Sequence, residues 1–129
     1  MIKVVIDTNI IISAALSPNG TPAKIVDMIF EDKLQLFYSI EVLEEYIDVL
    51  SRPRLKISDK VQSDIITAIK AVGMLIDPSI SDISMTDESD RIFYDTAQAS
   101  GAILITGNIK HYPTEEFIMT PSDFFNMHN

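Results

Sequence analysis

The 129-residue sequence contains no cysteine and only four glycines. Without cysteine the chain forms no disulfide and binds no metal through thiolates, so a reducing cytoplasm is the simplest setting. The glycines form no phosphate-binding fingerprint, which argues against a P-loop or dinucleotide fold. No secretory signal is present and no apolar run approaches the length that spans a bilayer, so we expect a cytoplasmic protein with no membrane association.

Basic residues are also scarce. Ten Lys and Arg stand against nineteen Asp and Glu, for a formal net charge of −9. This balance argues against a simple nucleic-acid binder, because phosphate contacts come from Lys and Arg. Two explanations of the acidity stay open: a cluster of carboxylates holds divalent cations, or an acidic surface keeps the protein soluble. The positions of the carboxylates must decide between them.

The chain is organised as one domain over residues 1–129, with an apolar fraction of 47% and no repeat or linker. Short apolar runs predict strands at 4–6, 34–38, 74–76, 102–105 and 117–119. Helical periodicity lies between them at 43–50, 59–72 and 90–101, with a short pattern at 122–127. This alternation predicts an α/β fold of three layers, α/β/α, around a central parallel sheet of about five strands.

The stretch KVVIDTNIIISAAL places Asp7 between a strand, Val4–Ile6, and an apolar helix that opens near Ile10. An ionised carboxylate close to the core requires an ion pair, hydrogen bonds or a metal ion. In parallel α/β sheets, sites form at the carboxyl ends of the strands. Asp7 follows the first strand at such an end and is the first candidate site residue.

The stretch SIEVLEEYIDVL contains two adjacent glutamates on a predicted helix. At about 100° per residue, Glu45 falls beside Val42 and Val49, whereas Glu44 lies on the polar side. Glu45 is therefore the better candidate to point inward, with a solvated helix face as its alternative.

The stretch MTDESDRIFYDTAQASG opens a further helix, for which Ser89 or Asp87 is the predicted cap. Asp90 lies in the first turn, where the helix dipole favours a carboxylate whatever its function. It also lies at the border of the apolar face, which capping alone does not require. Asp95 is predicted on the opposite, solvated side.

The stretch AILITGNIKHYP is a strand that ends in Thr106, Gly107 and Asn108, which indicates either a site or a plain turn. His111, three residues further on, is interpreted as a surface residue of a loop. Convergence of Asp7, Glu45 and Asp90 requires the first and fourth strands to be neighbours.

Carboxylates that converge in this way repel one another and have raised pKa values unless a cation holds them. Hard oxygen ligands without cysteine suit Mg²⁺ or Mn²⁺. Such sites act on phosphate esters by activating water and stabilising the leaving oxygen.

These motifs together resemble the PIN domain, the nuclease fold used by VapC-like toxins of prokaryotic toxin–antitoxin pairs. The resemblance rests on VVIDTNIIISA, VLEEYIDVLSRP and DESDRIFYDTAQASGAILITGN, in that order, and covers nearly the whole chain. It implies a metal-dependent endoribonuclease that cleaves single-stranded RNA, with an antitoxin protein as partner. Homodimerisation is expected by analogy alone.

The resemblance also implies roles for particular residues. The catalytic set is Asp7, Glu45, Asp90 and Asn108, and the first three of these would bind Mg²⁺ or Mn²⁺. Thr8 and Asn9 would orient the first ligand, and Thr106 would support it from the far side. Asn108 departs from the family, in which this fourth position is often Asp; an amide still ligates a cation or a water, but without negative charge.

A local basic rim could bind RNA phosphates despite the net charge. The candidates are Arg52, Arg54, Lys56, Arg91 and Lys110, and a solvated loop is an equal interpretation for the segment 52–60. Because Asn108 brings no negative charge to the site, the alternative is a catalytically weak PIN domain that binds RNA or a protein partner. A phosphatase of the haloacid-dehalogenase type is disfavoured, since it would have Asp where Asn9 stands.

Overall fold

A computed structural model describes residues 1–128 of the chain, and residue 129, the last of the predicted domain, lies outside the described residues. The strands are β1 (Ile2–Ile6), β2 (Leu34–Tyr38), β3 (Met74–Leu75), β4 (Ile103–Ile105) and β5 (Ile118–Met119). The helices are α1 (Thr8–Leu16), α2 (Thr21–Phe30), α3 (Ile40–Leu50), α4 (Asp59–Val72), α5 (Arg91–Ser100) and α6 (Pro121–His128). Short 3₁₀ helices lie at Pro53–Leu55, Glu88–Asp90 and Ile109–His111. Within the described range, no helix is long and apolar enough to cross a membrane.

The strands form one sheet in the order β3-β2-β1-β4-β5, and every neighbouring pair is parallel. Val4 and Val5 of the central strand are completely buried. A strand covered on both faces carries a continuous apolar run rather than an alternating one, as Val4–Ile6 does. The predicted three-layer α/β/α fold with a parallel sheet of about five strands is confirmed.

The neighbours of β1 determine where the site lies. Pairing of Ile6 with Ile105 aligns the carboxyl ends of β1 and β4, so the residues that follow the two strands meet at one edge. The first and fourth strands are therefore adjacent, which is the arrangement that convergence of the acidic residues requires. Gly101 ends α5 with a left-handed φ of 68°, and the chain turns directly into β4.

Asp95 differs from its prediction. It is only 5% exposed, and its Oδ2 accepts a hydrogen bond from the Ser81 amide at 3.2 Å. The reason is the long connection between β3 and α5, which passes over the face of α5 that the helical pattern assigns to solvent. The prediction that Asp95 is solvated is therefore wrong.

Candidate active site

Asp7 is tied into the sheet edge through both its backbone and its side chain. It occupies the N-cap position of α1, and its amide donates to the Ile105 carbonyl at 3.0 Å. The carboxylate makes no cap hydrogen bond. Instead, Oδ2 accepts from Thr106 Oγ1 and from the Tyr112 hydroxyl, each at 2.9 Å. These two donors stabilise a carboxylate that is only 5% exposed.

Tyr112 is a site residue that the sequence analysis missed. Burial, followed by the negative charges of Asp7 and Asp90, raises the pKa of Tyr112 far above its ordinary value. The phenol therefore stays protonated and acts as a donor to Asp7. Tyr112 lies in the loop after β4, where no periodic pattern indicates its direction, so only the folded chain reveals the contact.

Tyr46 supports the strand that carries Asp7. Its completely buried hydroxyl donates to the Ile6 carbonyl at 2.5 Å. Burial, and to a lesser extent the charge of Asp7, raises the pKa of Tyr46 well above its ordinary value. Tyr46 neighbours Glu45 on α3, so the helix turn that holds the end of β1 also brings Glu45 to the site.

Asp90 occupies the N-cap position of α5, and its side chain also makes no cap hydrogen bond. Its Oδ2 is buried without a hydrogen-bond partner in the described part of the chain, although His111 Nδ1 lies 3.3 Å away. Burial, followed by the charges of Asp7 and Asp87, raises the pKa of Asp90 to about 6, and His111 opposes this shift. Asp90 is thus a half-buried acid among other acids.

Asp87 lies beside Asp90 and is oriented by its own turn. Its Oδ1 accepts from the Ser89 amide at 3.0 Å and from Ser89 Oγ at 2.8 Å. These bonds lower the pKa of Asp87, so the carboxylate is ionised at neutral pH. Asp87 therefore caps the 3₁₀ turn Glu88–Asp90 that leads into α5. The N-cap position of α5 itself is occupied by Asp90, so the predicted Asp87 or Ser89 cap is found on this turn and not on the helix.

The acidic residues share one open cleft of about 420 Å³. Its polar lining includes Asp7, Glu45, Asp87, Asp90, Asn108 and His111. All four residues of the predicted catalytic set are therefore brought to one place. Glu45 faces the cleft, whereas Glu44 is exposed and does not line it.

The three predicted supporting residues behave differently from one another. Thr106 donates to Asp7 and also accepts from the Asn108 amide at 3.0 Å. Asn9 accepts from the Gly107 amide at 3.0 Å, which ties α1 to the loop after β4. Thr8 lines the cleft, but its buried hydroxyl has no hydrogen-bond partner among residues 1–128. Thr8 therefore makes no hydrogen bond to Asp7 within this range, and its role in orienting Asp7 stays a prediction.

Of the basic candidates, Arg52 and Arg54 line the cleft. Arg52 pairs with Asp48 at 3.2 Å, one helical turn earlier. Lys56 and Lys110 are exposed but contribute nothing to the cleft lining. The basic rim at the site therefore consists of the two arginines.

Arg91 was predicted to bind RNA, but it does not line the cleft. Its guanidinium donates to both carboxylate oxygens of Glu88, to the carbonyl and hydroxyl of Ser81, and to the Ile83 carbonyl. These contacts use its donors to hold the connection 81–83 against the start of α5. Arg91 is a structural residue here, because it turns away from the cleft that Asp90 faces.

Comparison with known proteins agrees with this geometry. A model of the PIN domain matches residues 3–110, and the chain belongs to the PIN domain family. It is 40% identical over 110 residues to the uncharacterized protein MJ1680 of Methanocaldococcus jannaschii, an alignment that covers 83% of this chain and 71% of that protein.

Two solved structures have a similar fold. One is VapBC2 from Rickettsia felis bound to a DNA fragment from its promoter, with a TM-score of 0.59, 17% identity and coverage of 92% of this chain and 97% of that one. The other is DNA-bound VapBC from Salmonella typhimurium, with a TM-score of 0.59, 14% identity and coverage of 94% and 99%. At such low identity these structures show a shared fold.

Tyr112→Phe should lower the free energy of unfolding by about 1–3 kcal/mol, because it removes a donor from a buried carboxylate. Urea unfolding at pH 7 without metal measures the effect. The matched control is Tyr38→Phe, whose hydroxyl makes no side-chain hydrogen bond in the described residues and whose loss should cost less than about 0.5 kcal/mol. Equal losses in the two variants would contradict the importance of the Tyr112–Asp7 bond.

Asp90→Asn should stabilise the metal-free protein at neutral pH. Because the folded-state pKa of about 6 lies above the ordinary value of 3.8, proton binding to Asp90 favours the folded state at low pH, and this stabilisation is lost as the pH rises through 6. At pH 7.5 we expect a gain of about 1 kcal/mol, less than the full pKa shift implies, since the cleft is open to solvent. Unfolding at pH 4 should show little difference between the two proteins, and a gain equal at both pH values would refute the assignment.

Proposed function

We propose that this PIN domain is a Mg²⁺- or Mn²⁺-dependent endoribonuclease that cleaves single-stranded RNA, and that it is the toxin of a toxin–antitoxin pair. The observation that carries the proposal is the meeting of Asp7, Glu45 and Asp90 with Asn108 in one open cleft. These residues come from four separate segments of the chain. Packing like charges together is electrostatically unfavourable, as the raised pKa of Asp90 indicates. It has no evident structural benefit.

The residues of the cleft fit a divalent cation. Carboxylate and amide oxygens are the ligands that Mg²⁺ and Mn²⁺ prefer. A cation would relieve the repulsion between the carboxylates and would bind Asp90 Oδ2, which accepts no hydrogen bond in the described residues and lies 3.3 Å from His111 Nδ1. Asp7, Glu45 and Asp90 would hold the ion, and Asn108 would contribute an uncharged oxygen.

A bound ion of this kind would supply Lewis acidity toward the phosphate and an activated water as nucleophile. The side chains around it prepare the site before substrate arrives. Thr106 and Tyr112 both donate to Oδ2 of Asp7, which fixes the carboxylate and leaves Oδ1 for a ligand. Tyr46 holds the end of β1, so Asp7 does not shift when charge enters the cleft.

The same cleft offers positive potential to a phosphate chain. Arg54 lines it without an ion pair among the described residues, and Arg52 lines it while paired with Asp48. The N-termini of α1 and α5 also reach the cleft at Asp7 and Asp90, and both carry partial positive charge. This local field supports RNA binding by a chain whose net charge is −9.

An antitoxin protein is the proposed partner, and a homodimer is the proposed assembly. The fold shared with VapBC structures and the PIN family membership support the antitoxin partner. The homodimer rests on analogy alone. The open cleft is a surface that a second protein could cover to block access of RNA to the acidic residues.

One observation favours an alternative function. Asn108 supplies an amide where the family often has Asp, so the site has one fewer charge with which to hold a cation. A PIN domain that binds RNA or a protein without efficient cleavage is the alternative. Retention of RNA binding without metal-dependent cleavage by the purified wild-type protein would establish it.

The double variant Asp7→Ala, Asp90→Ala should lose measurable Mn²⁺ binding in calorimetry, because it removes two of the three proposed charged ligands. Glu44→Ala is the matched control, since this carboxylate is exposed outside the cleft and its loss should leave Mn²⁺ affinity unchanged. Undiminished affinity in the double variant would place the ion elsewhere.

Glu45→Gln should reduce the rate of RNA cleavage by about 10- to 100-fold or more, because a neutral amide replaces a proposed ligand. Glu44→Gln should keep most of the activity. Single-turnover cleavage of a labelled single-stranded RNA measures both, with RNA binding by filter retention as a check that the cleft is intact. The reverse pattern would show that Glu44 faces the metal.

A further inference from the structure

The proposed mechanism leaves two charged or basic side chains of the cleft without a role, Asp87 and His111. Both line the cleft together with Asp90. One ligand atom from each of these three residues lies within 4.8 Å of the other two. Within this group, His111 Nδ1 is 3.3 Å from Asp90 Oδ2.

The separations suit one bound ion. Two ligands of a tetrahedral ion with bonds of about 2.0–2.1 Å lie roughly 3.3 Å apart. Nδ1 of His111 and Oδ2 of Asp90 have this separation, which brings them within ion-pair distance of each other. Asp87 has one oxygen fixed by Ser89, which leaves Oδ2 for a ligand. Because Asp87 and His111 are exposed, small side-chain rotations suffice to bring the third donor into range.

One buried oxygen outside this group independently indicates a ligand at the cleft. Thr8 Oγ1 has no hydrogen-bond partner within residues 1–128. Thr8 is only 6% exposed and lines the same cleft. Buried polar atoms without partners are costly, and they are expected where a ligand or its bound water completes the site.

We infer that Asp87, Asp90 and His111 form a mixed oxygen–nitrogen site for a divalent transition ion, so that the cleft prefers Zn²⁺ and Co²⁺ to Mg²⁺. Imidazole nitrogen suits these ions, whereas Mg²⁺ takes oxygen ligands and keeps several waters. His111 ends the 3₁₀ turn that follows Asn108. The segment that lacks the fourth carboxylate thus supplies a nitrogen ligand instead. The inference rests on the proposed function, because Asp90 belongs to both ligand sets.

The test compares Zn²⁺ and Mg²⁺ binding by calorimetry at pH 7.5 in the wild-type protein, His111→Gln and Asp87→Asn. We expect Zn²⁺ affinity to fall at least about tenfold in each variant, and Mg²⁺ affinity to change by less than about twofold in His111→Gln. Glu44→Gln is the control for loss of a carboxylate outside the cleft. Thermal melting without metal establishes that each variant is folded.

A spectroscopic measurement reports on the nitrogen directly. The chain has two histidines, and His128 lines a different groove. In protein labelled with ¹⁵N-histidine, Zn²⁺ should shift the ring Nδ1 resonance of His111, assigned through His111→Gln, and leave His128 unchanged. An unshifted resonance together with unchanged Zn²⁺ affinity in His111→Gln would overturn the inference and leave His111 as an ion-pair partner of Asp90.

The outcomes separate this inference from the proposed function. If Mn²⁺ binding and cleavage depend on Asp7 and Glu45 while His111→Gln changes nothing, the nuclease proposal stands and the mixed site is refuted. If Zn²⁺ binding depends on His111 while cleavage of RNA is absent, the mixed site stands and the nuclease proposal fails.

Discussion

The arrangement of the cleft depends on how one buried carboxylate is accommodated at the end of the central strand. Asp7 follows a completely buried run of β1, and its charge would be costly there without partners. Thr106 and Tyr112 both donate to it, one from the end of β4 and one from the loop beyond. Because these donors come from about 100 residues further along the chain, the site forms only when β4 is seated beside β1.

This arrangement is electrostatically unfavourable for the ionised form of Asp90. It lies close enough to Asp7 and Asp87 that burial and their charges raise its pKa to about 6. The metal-free fold therefore carries electrostatic strain at neutral pH, and a cation in the cleft would relieve that strain. The strongly acidic composition of the chain is thus compatible with the proposed phosphate substrate, since the acids of the cleft would attract an ion that in turn would attract the phosphate.

The connections around α5 define the boundary of the cleft. Arg91 uses its donors to hold the segment 81–83 and is turned away from the acids, while the same connection buries Asp95. On the opposite side, the 3₁₀ turn Ile109–His111 places an imidazole against Asp90. The N-terminus of α5 is therefore fixed by structural contacts on one face and presents Asp90 to the cleft on the other.

The sequence by itself determined the α/β class, the strand ends that carry Asp7 and Thr106, and the inward phase of Glu45 on α3, because each of these is a local pattern along one element. It did not reveal Tyr112 as a donor to Asp7, the burial of Asp95 or the contacts of Arg91 with the segment 81–83. These depend on where loops cross other elements, and a helical period describes only the helix itself. Only the tertiary structure, through the order of the strands and the paths of two connections, decided which polar side chains meet.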